Sequence, residues 1–258
     1  MQAYLVCAVP RSGSTLLCEM LRDTGVAGQP LEHFETLRSS SLPRQPRQYF
    51  EEAGLPRIAD LLAPSQPGAP SNEPPEAWRT RIRSEGLGGN RVWGGKLMWG
   101  HTEDLIARAR ALPGLAGADL ERVLHVLLDD PQLVFVTRRD KAAQAVSLWR
   151  ALQTQSWRAE DAPKAAAPVY DFAAVDHLVR QLESDERAWK AWFARTGKAP
   201  FVVTYDQLEA APAETVATVL HALGLPEAVV SVPRLSRQRD ELSEAWIERY
   251  RLERGQAA

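Results

Sequence analysis

The sequence predicts an α/β fold with a central parallel β-sheet flanked by helices. Three observations carry this expectation. Four short apolar runs, at residues 3–9, 91–98, 133–137 and 201–205, are rich in Val, Leu and aromatic residues. Longer helix-compatible stretches separate them, as parallel neighbours require, and strands covered on both faces read as continuous rather than alternating apolar runs. The first run also ends in a short polar turn that feeds directly into an amphipathic segment, a strand–turn–helix signature.

The first strand ends at Pro10-Arg11-Ser12-Gly13-Ser14-Thr15, after which Leu16, Leu17, Met20 and Leu21 recur at helical spacing until Gly25 stops the helix. Residues 39–75 hold Pro43, Pro46, Pro56, Pro64, Pro67, Pro70, Pro74 and Pro75 among many serines. Irregular, partly mobile structure is expected there, of the kind that forms an acceptor loop or lid. Helices are expected over residues 140–155, 172–193, 213–223 and 244–254. In the first of these, Ala142, Val146, Trp149 and Leu152 form the inward stripe and leave Gln144 and Ser147 on a different face.

At 258 residues, with 45% apolar and 25% charged content, the chain suits one main domain with room for a small inserted cap. Lys plus Arg at 31 against Asp plus Glu at 33 leaves a net charge of −2, too little for a general field that would hold nucleic acid or an anionic membrane. Any anion site must therefore be built locally. Cys7 and Cys18 lack metal-ligand or CxxC spacing and read as small buried hydrophobes. His33, His101, His125, His177 and His221 are scattered without ligand spacing, so no metal is expected. The apolar start lacks a basic leader, and no run approaches the roughly 18 apolar residues of a membrane span. A soluble cytoplasmic protein without membrane insertion is the expectation.

A turn between a buried strand and a helix exposes backbone N–H groups at the positive end of the helix dipole, which suits a phosphate. Ser12, Gly13, Ser14, Thr15 and the start of the helix at Leu16 occupy that place, with Arg11 adding a charge. A plain helix cap is the competing reading. The turn lacks the Lys and spaced Gly of a Walker A loop, which weighs against a kinase or NTPase. Phe135-Val136-Thr137-Arg138-Arg139-Asp140, followed by a helix carrying Ser147, offers a second strand end with cations and a hydroxyl, or else a solvated turn. Together the two elements fit a ligand with separate phosphates.

At these residues the chain resembles the bacterial trehalose sulfotransferase family known from mycobacteria. The likeness runs through Arg11-Ser12-Gly13-Ser14-Thr15-Leu16-Leu17, Thr24-Gly25-Val26-Ala27-Gly28, Pro46-Arg47 and Val92-Trp93-Gly94-Gly95-Lys96-Leu97-Met98-Trp99. It continues through Gln144-Ala145-Val146-Ser147, Trp149-Arg150-Ala151, Trp157-Arg158, Arg237-Gln238 and Trp246 with Arg249-Tyr250-Arg251. Val203-Thr204-Tyr205-Asp206-Gln207-Leu208 is similar to a strand-end motif of sulfotransferases in general. The resemblance implies a P-loop-like sulfotransferase fold, 3'-phosphoadenosine 5'-phosphosulfate (PAPS) as donor co-substrate, a small-molecule alcohol as acceptor and a homodimer.

By position, it implies that residues 11–16 hold the 5'-phosphosulfate, that Arg138 and Ser147 hold the 3'-phosphate, and that Arg237 and Gln238 add a further donor segment. The spacing from Arg139 to Ser147 matches the wider superfamily, so Arg139 stays a rival to Arg138. Glu32 falls at the family's catalytic glutamate, with His33 and Glu35 as neighbouring rivals. Lys96, in an otherwise apolar strand, needs an anionic partner if buried. It is assigned, with Arg11, to the charge that develops at the sulfuryl group, an ordinary ion pair being the alternative. Gln29, Glu32, His33, Pro46 and Arg47 fall at acceptor positions, and the chain departs from the family pattern at Pro10, Gln29 and His33. Such departures can redirect acceptor choice. A nucleotide-binding protein without turnover and an atypical small-molecule kinase are the other readings.

Overall fold

A computed structural model describes residues 2–157, 167–231 and 240–257. In chain order the elements are β1 (Gln2–Ala8), α1 (Ser14–Asp23), α2 (Gln48–Glu51), α3 (Pro56–Ala59), α4 (Pro75–Glu85), β2 (Val92–Met98), α5 (Thr102–Ala109) and α6 (Leu120–Leu128). There follow β3 (Gln132–Thr137), α7 (Lys141–Thr154), α8 (Phe172–Thr196), β4 (Phe201–Thr204), α9 (Tyr205–Ala210), α10 (Pro212–Ala222) and α11 (Glu241–Ala257). The chain divides into two compact units, one of residues 1–43, 68–138 and 185–233, the other of residues 44–67, 139–184 and 234–258.

The first unit is built on a four-stranded, wholly parallel sheet in the order β2-β1-β3-β4. The α/β expectation holds, and each expected strand is present within a residue of its expected ends. Burial explains why the apolar runs were continuous. On one face Tyr4, Val6, Ala8, Val134, Val136 and Val203 pack against Leu17, Met20 and Leu21 of α1 and Val216, Val219 and Leu220 of α10. On the other face Phe135 meets Phe193 of α8 edge to face, and the Trp189 indole donates to the Ala8 carbonyl at 2.9 Å, fixing the end of β1. From β1 the chain goes to β2 on one side and only afterwards to β3 on the other. The carboxyl ends of β1 and β3 therefore form the switch point at which α/β sheets take their ligands.

In the second unit, α7 is preceded by its N-cap Asp140, whose side chain accepts from the Ala143 N–H, so the expected helix is capped where the sequence places its start. Gln144 departs from the sequence expectation. It is fully buried rather than set apart from the inward face, and its side-chain oxygen accepts from Lys141 Nζ at 3.1 Å, which offsets the cost of burial. Residues 44–67 are also more regular than their prolines suggest. Phe50, Ile58, Ala59 and Leu62 are buried around α2 and α3, and Phe50 packs edge to face on Trp149. Among the described residues, no helix is long and apolar enough to cross a membrane.

Candidate active site

The loop after β1 is shaped by two left-handed residues, Arg11 at φ 61° and Gly13 at φ 94°. Gly13 is the N-cap of α1, and no side chain caps the helix, so the first N–H groups of α1 are not claimed by a capping residue. The plain-cap alternative thus loses its basis. A side chain at position 13 would be strained at this φ and would place its Cβ 3.0 Å from Tyr205 Cδ2. Ser12 is wholly buried, and its hydroxyl has no hydrogen-bond partner among the described residues. An orphaned buried hydroxyl beside open helix N–H groups is a donor set that lacks its acceptor.

Lys96 lies on β2 in register with Val6 of β1 and is buried, at 4% exposure. Its ammonium donates to Glu32 Oε1 at 2.6 Å and to Thr15 Oγ1 at 2.9 Å. One cation therefore joins the candidate base to the first turn of α1. Backbone pairing explains why a loop carboxylate reaches it. Leu31 forms a parallel bridge with Gly95, and the Lys96 N–H donates to the Leu31 carbonyl at 2.9 Å, so residue 32 leaves the strand edge beside residue 96.

The two rivals of Glu32 occupy different environments. His33 Nε2 lies 2.8 Å from the Gln29 carbonyl and 3.2 Å from the Gly94 carbonyl, and its ring packs on Trp93. Both partners are acceptors, so Nε2 carries the hydrogen and staples the 29–33 turn to β2. Glu35 lies one turn beyond Glu32, its N–H donating to the Glu32 carbonyl at 3.2 Å. Burial pushes its carboxyl above the usual glutamate value, the Glu32 charge adds to this, and Lys96 opposes it.

At the end of β3 the adjacent arginines separate. Arg138 is buried at 7% exposure and Arg139 is exposed. The Arg138 guanidinium stacks 4.2 Å over the Tyr205 ring and donates to the Arg11 carbonyl at 3.3 Å. The structure thus brings Glu32, Lys96 and Thr15 into one contact chain, and Arg138 to the loop that holds Arg11, Ser12, Gly13 and Ser14. Leu16 is half-buried on α1, and Gln29 donates its N–H to the Gly86 carbonyl. Ser147 is half-buried on α7 in the second unit. In that unit also lies Pro46, next to Arg47, whose guanidinium holds Glu51 at 2.9 Å and Asp60 at 2.7 Å. Arg237 and Gln238 lie outside the described residues. Among the described residues no group of three or more His, Cys, Asp or Glu side chains could hold a metal ion.

Tyr205 was given no site role by the sequence. The available signal was its place in the strand-end motif Val203–Leu208, immediately after β4.

The chain is similar to known proteins over nearly its whole length. A family model described as Stf0 sulphotransferase matches residues 3–253. Trehalose 2-sulfotransferase of Mycobacterium tuberculosis (strain ATCC 35801 / TMC 107 / Erdman) is 43% identical over 252 residues, 97% of this chain and 94% of the relative. Trehalose 2-sulfotransferase of Mycolicibacterium smegmatis (strain ATCC 700084 / mc(2)155) is 43% identical over 251 residues, 96% of this chain and 94% of the relative.

Proposed function

Since the chain belongs to the Stf0 sulphotransferase family and is a sulfotransferase, we propose that it moves a sulfuryl group from PAPS to a hydroxyl of trehalose or a closely related carbohydrate. The observation that carries this reading is the Glu32–Lys96–Thr15 chain, which joins a carboxylate, an ammonium and the anion loop within hydrogen-bond distances. The loop fits the donor: a buried Ser12 hydroxyl without a partner and an uncapped helix start both call for an anionic acceptor.

When bound, PAPS supplies the sulfuryl group: its S–O bond to the 5'-phosphate breaks as a bond to the acceptor oxygen forms, and adenosine 3',5'-bisphosphate leaves. Residues 11–16 hold the 5'-phosphosulfate end, and Arg138 holds the 3'-phosphate. Glu32 takes the proton of the acceptor hydroxyl, which a positioned carboxylate does at a gain of roughly 10²- to 10⁴-fold. Lys96 and Arg11 supply positive charge where negative charge gathers, a stabilisation that works best in a site withdrawn from water. A nucleotide binder without turnover would have no use for a buried lysine shared between a carboxylate and the loop.

Transfer of labelled sulfate from PAPS tests the reading on a panel of trehalose, other disaccharides, glycolipids and simple alcohols. Trehalose or a near relative should be labelled at one hydroxyl. Label on no carbohydrate, with label on another alcohol, would overturn the acceptor class. No transfer to any hydroxyl would overturn the donor and the chemistry together.

A further inference from the structure

We infer, given the reading of Glu32 as the base, that His33 is a positioning residue that fixes the course of the chain beside Glu32 and so decides where its carboxylate stands against Lys96. The sequence suggested an acceptor contact at position 33, and burial argues for a different role. Adjacent residues part here. The Glu32 side chain is 25% exposed and meets Lys96 Nζ at 2.6 Å, whereas the His33 side chain is 4% exposed and lies against Trp93 at a ring-centroid distance of 5.6 Å. A side chain so enclosed has little surface to offer an acceptor. It is also poorly placed to take a proton from one: Nε2 carries the hydrogen it directs at two carbonyls, and Nδ1 faces Glu85 Oε2 at 3.7 Å.

The positioning role follows from the outer edge of β2. The Gly94 N–H donates to the Gly86 carbonyl at 3.0 Å and the Lys96 N–H to the Leu31 carbonyl at 2.9 Å, so both residues turn their backbone groups away from β1. The Gly94 carbonyl lies on that same edge, between the two bonds, and the imidazole meets it at 3.2 Å. A side chain there takes the place of a backbone donor. The same nitrogen reaches back 2.8 Å to the Gln29 carbonyl, which also accepts from the Leu31 N–H at 2.8 Å. One ring nitrogen thus closes the 29–33 turn and fastens it to the strand. Glu32 sits between two anchors, the Leu31 carbonyl on the Lys96 N–H before it and the His33 ring after it. Nδ1 contributes less, because the Glu85 carboxylate is exposed and already held by Arg81 at 3.0 Å.

Sulfate transfer from labelled PAPS to trehalose, measured on the full chain in a double-variant cycle, separates positioning from general support. His33→Phe keeps a ring against Trp93 and removes the donor. It should lower kcat about ten- to a hundredfold and leave the KM for PAPS within about twofold of the parent. His33→Gln, whose amide carries N–H donors about as far from the backbone as Nε2, should recover turnover to within about threefold of the parent. In a Glu32→Gln background no base is left to position, and His33→Phe should then lower kcat by less than about twofold more. Should His33→Phe fail to fold, His33→Asn, too short to reach the Gly94 carbonyl, takes its place in the cycle. Losses that multiply across the two positions, or a His33→Gln protein as slow as His33→Phe, would overturn the inference. A parent that does not sulfate trehalose, or a Glu32→Gln protein that turns over at the parental rate, would instead remove the reading on which it rests.

Discussion

Two cation–carboxylate clusters in the first unit are made of similar parts and left in opposite electrostatic conditions. Glu73 accepts from Arg81 at 2.7 and 3.0 Å on its two oxygens and from Arg108 at 2.5 Å, and Arg108 also reaches Ser71. Hydrogen bonding from Arg81 holds the Glu73 carboxyl below the usual range despite burial. At the other cluster, Lys96 faces Glu32 directly and lies in the field of Glu35, whose carboxyl is pushed the other way. Beside it stands the loop with the orphaned Ser12 hydroxyl. Burying charge costs several kcal/mol per ion unless partners are complete. The first cluster meets that condition within the fold and fastens α4 to α5, while beside the second the buried Ser12 hydroxyl has no partner among the described residues.

The largest test of this contrast is Glu32→Gln, which keeps shape while removing proton acceptance. It should lower kcat roughly 10²- to 10⁴-fold. Donor affinity should change by less than about 1 kcal/mol, since the proton moves only at the transition state. Rapid-quench turnover beside calorimetric donor binding would check both. A near-normal kcat in Glu32→Gln beside an inactive Glu35→Gln would move the base one turn along. His33→Asn serves as the control, because its ring holds backbone carbonyls and its loss should reach catalysis only through the position of Glu32.

Next in size is the reverse experiment on the closed cluster. Glu73→Gln leaves Arg108, whose side chain is 9% exposed, without its carboxylate. Breaking a fully buried pair costs about 3–5 kcal/mol. The 24% exposure of Glu73 brings the expected loss in denaturant-unfolding free energy nearer ~2 kcal/mol. Turnover should stay within about twofold of the parent, because Glu73 is linked to the site only indirectly, through Arg81 and then Glu85, which lies 3.7 Å from His33. An inactive but undiminished Glu73→Gln protein would invert the comparison.

The same contrast explains what the sequence could show. The strands were legible because both faces of the sheet are covered, so β1 to β4 needed no alternation to be recognised. The loop at residues 11–16 was legible because strand, turn and helix are local. Lys96 could be marked as an expensive lysine, but its partner could not be derived, since Glu32 arrives through the non-local Leu31–Gly95 bridge. Adjacent Arg138 and Arg139 looked alike, and only the end of β3 decides which one turns inward. Gln144 was misjudged because periodicity marks polar side chains as outward-facing, while here Gln144 is buried with its oxygen bonded by Lys141. Tyr205 stood in a recognisable strand-end motif, but its neighbours Arg138 and Gly13 come from the ends of other strands and could not be read from it.

The smallest expected effect concerns Glu35, and it appears as a slope rather than a level. Burial raises its folded-state pKa above the ordinary 4.5, with the Glu32 charge acting in the same direction and Lys96 against it. Between the unfolded and folded values the folded chain holds more protons than the unfolded one, so stability falls as pH rises through that window. The contribution is complete below the unfolded value and is lost as pH passes the folded one. Glu35→Gln removes the titration and should flatten this part of the stability curve. Relative to the parent, the variant should therefore gain ground as pH rises above the ordinary glutamate value when urea midpoints are compared at constant ionic strength. Glu73 supplies the opposite sign, because its pKa is lowered. Its stabilisation is present above the ordinary glutamate value and lost as pH falls through the lowered one, so the deficit of Glu73→Gln should shrink on acidification. Parallel slopes in the two variants would mean that the carboxylates share one electrostatic condition, and the distinction between a closed and an open cluster would not survive that result.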